Sequence, residues 1–268
     1  MNSNRLSPAW AAVALIALTP CTGVSAQAAP PPNAPIKPKG VDADAWNALD
    51  RMGVALRNLN AFTIHADITY EDVLNSGEKL QHAGEVAIQT LRPNRLKIVA
   101  TSDHREREIF FDGKALTVVA PRVGYYASVP APSTIGGMLK DGKDKYGIEL
   151  PLTDLFTWGT DPGVMARLRS GFDAGPEKIG GLNCEHYAFR QDRIDWQVWI
   201  RSDGPALPCK LIITTTSDLS RPQYVAVLNW NVGQVPVPAD FVFTPPAGIH
   251  RIAMVDASAR DQRSPKAK

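Results

Sequence analysis

The residues best suited to chemistry are Cys184 and His186, which are separated by a single residue. In a β-strand both side chains would point to the same face, where a histidine can activate a cysteine thiolate as a nucleophile. The sequence places no third group to orient the histidine, and Cys209 offers Cys184 a disulfide partner instead. We therefore predict that the chain is not an enzyme and has no catalytic residues, with a Cys/His hydrolase as the minor alternative.

Other signatures of catalysis or cofactor binding are missing from the sequence. The five histidines, at positions 65, 82, 104, 186 and 250, form none of the i, i+2 or i, i+4 doublets that many metal sites show. The chain contains neither a Walker loop nor a Gly-x-Gly-x-x-Gly fingerprint. We expect no metal and no cofactor.

The N-terminus carries an export signal. An apolar run from Trp10 to Ala17 follows the single charge of Arg5, and small residues lead to Ala26. This pattern is typical of a secretory signal peptide, residues 1–26, with cleavage after Ala26 or Ala28. Because Pro20 interrupts the run early, it is shorter than the roughly 20 apolar residues of a membrane-spanning helix. The mature protein is expected outside the cytoplasm.

A second interpretation of the same segment concerns Cys21. The residues before it, Leu18-Thr19-Pro20, resemble a lipoprotein box, in which the cysteine becomes the lipidated first residue of the mature chain. The position before that cysteine is normally small, and Pro20 departs from the pattern. We favour the soluble periplasmic protein, with a form anchored by lipid at Cys21 as the alternative.

Outside the cytoplasm, Cys184 and Cys209 are expected to pair. If they start two strands that flank a third, they lie about 10 Å apart, too far for a disulfide unless the middle strand ends short of them. Both fall near the predicted turn Ser202-Asp203-Gly204-Pro205, where that middle strand ends. The sequence therefore predicts a disulfide across the strand end, stabilising by about 3 kcal/mol.

Composition limits the partners. The chain has 29 Lys and Arg against 27 Asp and Glu, and Arg5 is the one charged residue of the signal. The nearly neutral mature protein gives no reason to expect nucleic-acid binding. Residues 27–40 are a proline-rich linker, and residues 251–268 are a polar, basic tail.

Between linker and tail, one domain of residues 41–250 is predicted. Apolar residues at three- to four-residue spacing predict a helix over 42–59, with Asp42 or Asp44 as its cap. Beyond Asn60 the period changes to two, which indicates half-buried strands. Short helices are expected at 133–141, 152–158 and 162–169. The predicted strands are 62–70, 79–90, 95–101, 106–111, 116–119, 125–129, 172–179, 182–190, 194–201, 207–216 and 224–231, with a last strand closed by Phe241 to Gly248.

Apolar helices laid across a twisted sheet would enclose an apolar volume that a ligand could occupy. Trp196 and Trp199 face opposite sides of one predicted strand, so one is expected to meet the helices and the other to cover an outer surface. From the alternation, the candidate cavity-lining residues are Ile64, Ile68, Val86, Ile98, Leu139, Phe156 and Val198.

The order of elements resembles the LolA/LolB/LppX-like lipoprotein-carrier superfamily. Five local stretches are distinctive: Phe111-Asp112-Gly113-Lys114, Tyr125-Tyr126-Ala127-Ser128-Val129-Pro130, Tyr146-Gly147-Ile148-Glu149-Leu150-Pro151-Leu152, Cys184-Glu185-His186-Tyr187-Ala188-Phe189-Arg190 and Leu207-Pro208-Cys209-Lys210. They resemble an uncharacterised family of predicted periplasmic proteins within that superfamily.

The resemblance implies an α+β, mainly antiparallel fold: an incomplete, half β-barrel of about eleven strands with short helices covering the concave face. It carries no functional residue over. The expected function is an exported, non-enzymatic carrier or sensor of a lipid, an acyl chain or another hydrophobic ligand, with transient membrane contact. The alternative is an envelope protein–protein interaction or regulatory module.

Overall fold

The computed structural model describes residues 36–158 and 162–257. Within these residues, twelve strands form one sheet, and every neighbouring pair runs antiparallel except for β12 beside β6. The strands are β1 Ala61–Val73, β2 Lys79–Leu91, β3 Arg95–Ser102, β4 Glu106–Phe111, β5 Ala115–Ala120, β6 Tyr125–Pro130, β7 Ser170–Ile179, β8 Leu182–Arg190, β9 Ile194–Arg201, β10 Pro208–Thr215, β11 Gln223–Asn231 and β12 His250–Arg251.

The helices are α1 Ala43–Asn58, α2 Ile135–Tyr146, α3 Asp154–Thr157 and α4 Pro162–Ala166. In α1 the residues at three- to four-residue spacing, Leu49, Met52 and Leu56 among them, are buried. In α2 the Thr134 hydroxyl caps the helix by accepting the Gly137 N–H at 3.1 Å, and Gly147 caps its C-terminus with a φ of 64° that suits glycine. All four predicted helices are present, with shifted ends.

The strand order explains why the helices must lie across the sheet. Strands β1 to β6 form a meander toward one edge, whereas β7 lies at the opposite edge and β7 to β11 return to pair β11 with β1. The chain between β6 and β7 therefore crosses the sheet from edge to edge, and α2, α3 and α4 lie in this crossing. We call the helix-covered side the inner face.

The inner face carries the main core. Along β1, Phe62, Ile64 and Ala66 are buried, and the register places Ile64 opposite Ile88 and Ile88 opposite Ile98. These side chains pack with the apolar residues of all four helices in one cluster. The predicted fold class, an α+β, mainly antiparallel half-barrel with short helices over one face, is confirmed.

The end of the sheet differs from the prediction. The last strand was expected to close at Phe241 to Gly248, but Pro238–Phe241 forms a 3₁₀ helix, and the only later strand of the described residues is the two-residue β12. Prolines at 236, 238, 245 and 246 have no N–H to donate to a ladder. Instead, Phe243 packs its ring on Phe110 at 5.3 Å. Phe110 alternates with the inward-facing Ile109 and Phe111, so this segment covers the outer face of β4.

Some predictions lie outside the described residues: the signal peptide 1–26 with the alternative anchor at Cys21, the linker up to residue 35, and the tail from residue 258. Within the described residues, no helix is long and apolar enough to cross a bilayer.

Candidate functional site

A cavity of about 430 Å³ lies between the helices and the inner face of β9, β10 and β11. We call it the apolar cavity, because most of its lining is aliphatic or aromatic. Its lining residues are Met52, Lys143, Leu152, Asp154, Leu155, Trp158, Val164, Arg167, Gln191, Ile194, Trp196, Val198, Pro208, Leu211, Ile213 and Leu228.

Strand alternation builds the floor of the apolar cavity. Val198 on β9 pairs with Leu211 on β10, and Trp196 pairs with Ile213, so these four side chains point to the inner face together. Leu228 extends the floor onto β11. The register of three adjacent strands therefore holds one continuous apolar wall.

Two tryptophans join this floor to the helices. Trp158, directly after α3, meets Trp196 edge to face with ring centroids 5.0 Å apart, and Trp196 stacks on Phe189 at 4.3 Å. The indole N–H of Trp196 is buried and has no hydrogen-bond acceptor among the described residues. A buried unpaired donor costs about 1–3 kcal/mol. Trp196 therefore stabilises the fold through its ring contacts and not through its N–H.

The rim of the apolar cavity is charged. Lys143 comes from α2, Asp154 begins α3 and Arg167 follows α4, and all three side chains are exposed. Even so, loss of solvent beside the apolar wall raises the pKa of the Asp154 carboxyl, against the opposing effect of Lys143 and Arg167. The charged lining residues carry two positive charges and one negative charge, and the negative charge is lost when Asp154 is protonated.

A second cavity, of about 500 Å³, lies on the inner face over β1, β3, β4 and β5. Apolar residues such as Ile68, Ile98 and Ile109 line its floor, but its walls carry His104, Arg105, Glu106, Arg107, Arg122 and Glu149. We call it the charged cavity.

Protein groups already bind one of these cations. The Arg122 guanidinium donates hydrogen bonds to the backbone oxygens of Ser102, at 2.8 Å, and Asp103, and lies 3.7 Å from Glu106. This arginine therefore acts as a structural tie between β3, β4 and the turn before β6.

The structure does not bring the seven predicted lining residues together. Val198 lines the apolar cavity, while Ile68 and Ile98 line the charged cavity. Ile64, Val86 and Phe156 are buried in the core, and Leu139 packs against its margin. The sequence prediction missed Leu211, Ile213 and Leu228, although they follow the same alternation as Val198.

The sequence prediction also gave no role to Arg92, the residue that follows β2. Its guanidinium lies 5.7 Å from the centre of the Phe156 ring of α3, and its Nε has no hydrogen-bond partner among the described residues. Burial lowers the pKa of Arg92. This half-buried cation over an aromatic face links the residue that follows β2 to a helix of the inner face.

The outer face of β7 to β10 holds the residues first considered for catalysis. Cys184 and Cys209 form a disulfide, as predicted. The register places Cys184 opposite Arg201, the last residue of β9, and a bulge interrupts the β9–β10 pairing between Pro208 and Lys210. The middle strand therefore ends where the bridge passes, which is the geometry that the sequence required.

His186 is held by structural contacts. Its ring stacks on Trp199 at 3.9 Å, and its Nε2 lies 2.9 Å from Gln197 Oε1. The Trp199 indole donates to Glu177 Oε2 at 2.6 Å, and Lys210 Nζ lies 4.5 Å from its ring centre. We call Cys184, Cys209, Trp199, His186 and Glu177 the outer cluster. While the disulfide stands, Cys184 has no thiolate for a hydrolase.

Among residues 36–158 and 162–257, no group of three or more His, Cys, Asp or Glu side chains could hold a metal ion.

The structure is a half-barrel with an apolar cavity on its inner face and a disulfide on its outer face. Sequence similarity shows the family to which it belongs. Residues 45–255 match the family described as "Predicted periplasmic protein (DUF2092)", and the chain belongs to it. This description agrees with the predicted periplasmic location. In sequence, no curated protein matches the chain.

Three solved structures of low sequence identity align with most of this chain. LprF from Mycobacterium bovis is 14% identical with a TM-score of 0.44, over 74% of this chain and 98% of that one. The Mycobacterium tuberculosis lipoprotein LppX is 15% identical with a TM-score of 0.44, over 73% and 99%. A LolA superfamily protein from Nitrosomonas europaea is 11% identical with a TM-score of 0.36, over 74% and 97%.

Proposed function

We propose that the protein is a non-enzymatic periplasmic carrier or sensor that holds a hydrophobic ligand, such as a lipid or an acyl chain, in its half-barrel. The observation that supports this most is the apolar cavity. Its volume of about 430 Å³ falls in the range of small-molecule sites, about 300–1,000 Å³, and its walls are apolar with a few polar groups at the rim.

The position of the cavity also supports a carrier. Its roof is made by α3 and α4, helices of four and five residues in a chain crossing that connects opposite edges of the sheet. Its floor is made by long paired strands. A short-helix roof over a rigid floor can move to admit a ligand without disturbing the strand pairing.

Filling the cavity tests this function. Leu211 is half-buried on the cavity floor, whereas Leu219 is fully exposed. Leu211→Trp is expected to reduce the binding of a neutral apolar dye, N-phenyl-1-naphthylamine, at least tenfold, and Leu219→Trp is expected to leave it unchanged. Thermal unfolding of both variants confirms that each is folded. Equal dye binding by the wild type and folded Leu211→Trp would refute a ligand site in this cavity.

A second candidate function is an envelope interaction module. The segment after β11 carries exposed apolar side chains, Val235, Val237 and Val242. Exposed apolar residues in this segment, which covers the outer face of β4, favour contact with another protein. Cross-linking in envelope extracts should then capture a defined partner with the wild type and lose it when all three valines are replaced by serine.

A further inference from the structure

The charges around the apolar cavity are unevenly distributed. Its floor is apolar, and the charged lining residues of the described chain, Lys143, Asp154 and Arg167, stand at the rim with two positive charges against one negative. Building on the function proposed above, we propose that the ligand is a single-chain amphiphile with an anionic head group. Its chain lies against Trp158, Trp196 and Val198, and its head group lies between Lys143 and Arg167.

The size of the cavity favours one chain. About 430 Å³ lies in the lower part of the range for small-molecule sites, so a lipid with several acyl chains would exceed it. A single acyl chain placed on the apolar floor loses contact with water along its length, and each buried methylene adds to the affinity. Burial of the ligand's acyl chain therefore contributes to the affinity whatever the charge of the head group.

The rim cations are available to a head group. Lys143 lies 3.7 Å from Glu149, and the two side chains are 67% and 81% exposed. An exposed ion pair of this kind contributes little to stability, so an anionic head group can replace Glu149 at little cost. Lys143 and Arg167 come from separate elements, α2 and the residues after α4, yet line the same cavity.

Asp154 makes the rim sensitive to pH. Among the described residues, the charged groups that act on its carboxyl are Lys143 and Arg167, and both lower its pKa, whereas loss of solvent raises it by more. A bound anion would raise that pKa further, because like charges repel. Binding of the anion therefore takes up a proton, and the affinity should increase as the pH falls toward the pKa of Asp154.

Three decyl compounds that differ in head-group charge test the proposal by calorimetry, with the two ionic compounds below their micelle concentrations and the alcohol below its solubility limit. Decanesulfonate stays ionised at the relevant pH values, decanol is neutral, and decyltrimethylammonium is a cation. The sulfonate should bind at least threefold more tightly than either of the others. Lys143→Gln and Arg167→Gln should each weaken sulfonate binding about threefold, as expected for exposed charges, and leave decanol binding unchanged.

The control variant is Lys140→Gln, because Lys140 is also on α2 but pairs with Asp144 and does not line the cavity. It should leave the binding of all three compounds unchanged. Asp154→Asn should tighten sulfonate binding at pH 7 and abolish its pH dependence.

Each alternative outcome has a defined meaning. If decanol or the ammonium compound binds as tightly as the sulfonate, the anionic head group is wrong, while the apolar site stands. If Lys140→Gln weakens sulfonate binding as much as Lys143→Gln, the effect is long-range charge and the assignment to this rim fails. If none of the three compounds binds, the proposed function fails with the inference.

Discussion

Trp196 and Trp199 lie three residues apart on β9, and both are buried, yet their surroundings differ completely. Trp199, on the outer face, donates to Glu177, stacks on His186 and lies beneath Lys210. Trp196, on the inner face, borders a cavity, and its N–H has no acceptor within the part of the chain that the structure describes.

Within β9, Trp199 contributes contacts that stabilise the outer face, whereas Trp196 lines the candidate binding cavity. On the outer face Trp199 contacts both His186 and Glu177, and a disulfide closes the cluster. On the inner face, packing is incomplete where α3 and α4 cover the sheet. Substitutions on the outer face should therefore change stability and leave binding intact, and those on the inner face should do the reverse.

Removal of the disulfide should give the largest change. Cys184→Ala combined with Cys209→Ala is expected to lower the free energy of unfolding by about 3 kcal/mol, because the unfolded chain regains the entropy that the loop restricted. Urea denaturation measures this change. Affinity for the apolar dye should be unchanged at temperatures where the variant is folded. A parallel loss of affinity would show that the two faces are not independent.

The two tryptophans give a matched pair with a smaller effect. Trp199→Phe removes a hydrogen bond to a carboxylate, and should cost about 1.5 kcal/mol of unfolding free energy. Trp196→Phe removes a donor that has no acceptor among the described residues, so it should cost about 1 kcal/mol less. Equal losses in urea denaturation would contradict the proposed contrast between the faces.

Replacement of Asp154 should change the free energy of unfolding least, and the direction of the change follows from the raised pKa of its carboxyl. Because its folded pKa is raised, the charged carboxylate destabilises the folded state at neutral pH. That cost disappears as the pH falls through the folded pKa toward the unfolded value of about 3.9. Asp154→Asn should be more stable than the wild type at pH 7, and the difference should vanish near pH 4. A difference that grows toward low pH would refute the raised pKa.

Local patterns were enough to predict much of the fold. A period of two located β1 to β11 because side-chain alternation in a strand depends on neighbouring residues alone. The disulfide was predictable because the turn at Asp203-Gly204-Pro205 showed where β9 ends. The prediction of a last strand ending at Phe241 to Gly248 was wrong because prolines at 236 and 238, as well as at 245 and 246, have no N–H to donate to a ladder.

The cavity could not be located from the same patterns. Ile64 and Val198 are both alternating, buried strand residues, but Ile64 lies in the filled core and Val198 lines the cavity. The difference depends on which helix covers which strand, and that is decided by the crossing between β6 and β7. Spacing within a strand carries no information about that crossing.

The central claim is that the apolar cavity holds a ligand, and native mass spectrometry of protein isolated from its own periplasm tests it most directly. The wild type and Leu219→Trp should carry the mass of one additional small molecule, and Leu211→Trp should not. If all three proteins have the mass of the bare chain, or if all three carry the same additional mass, the cavity does not hold the ligand.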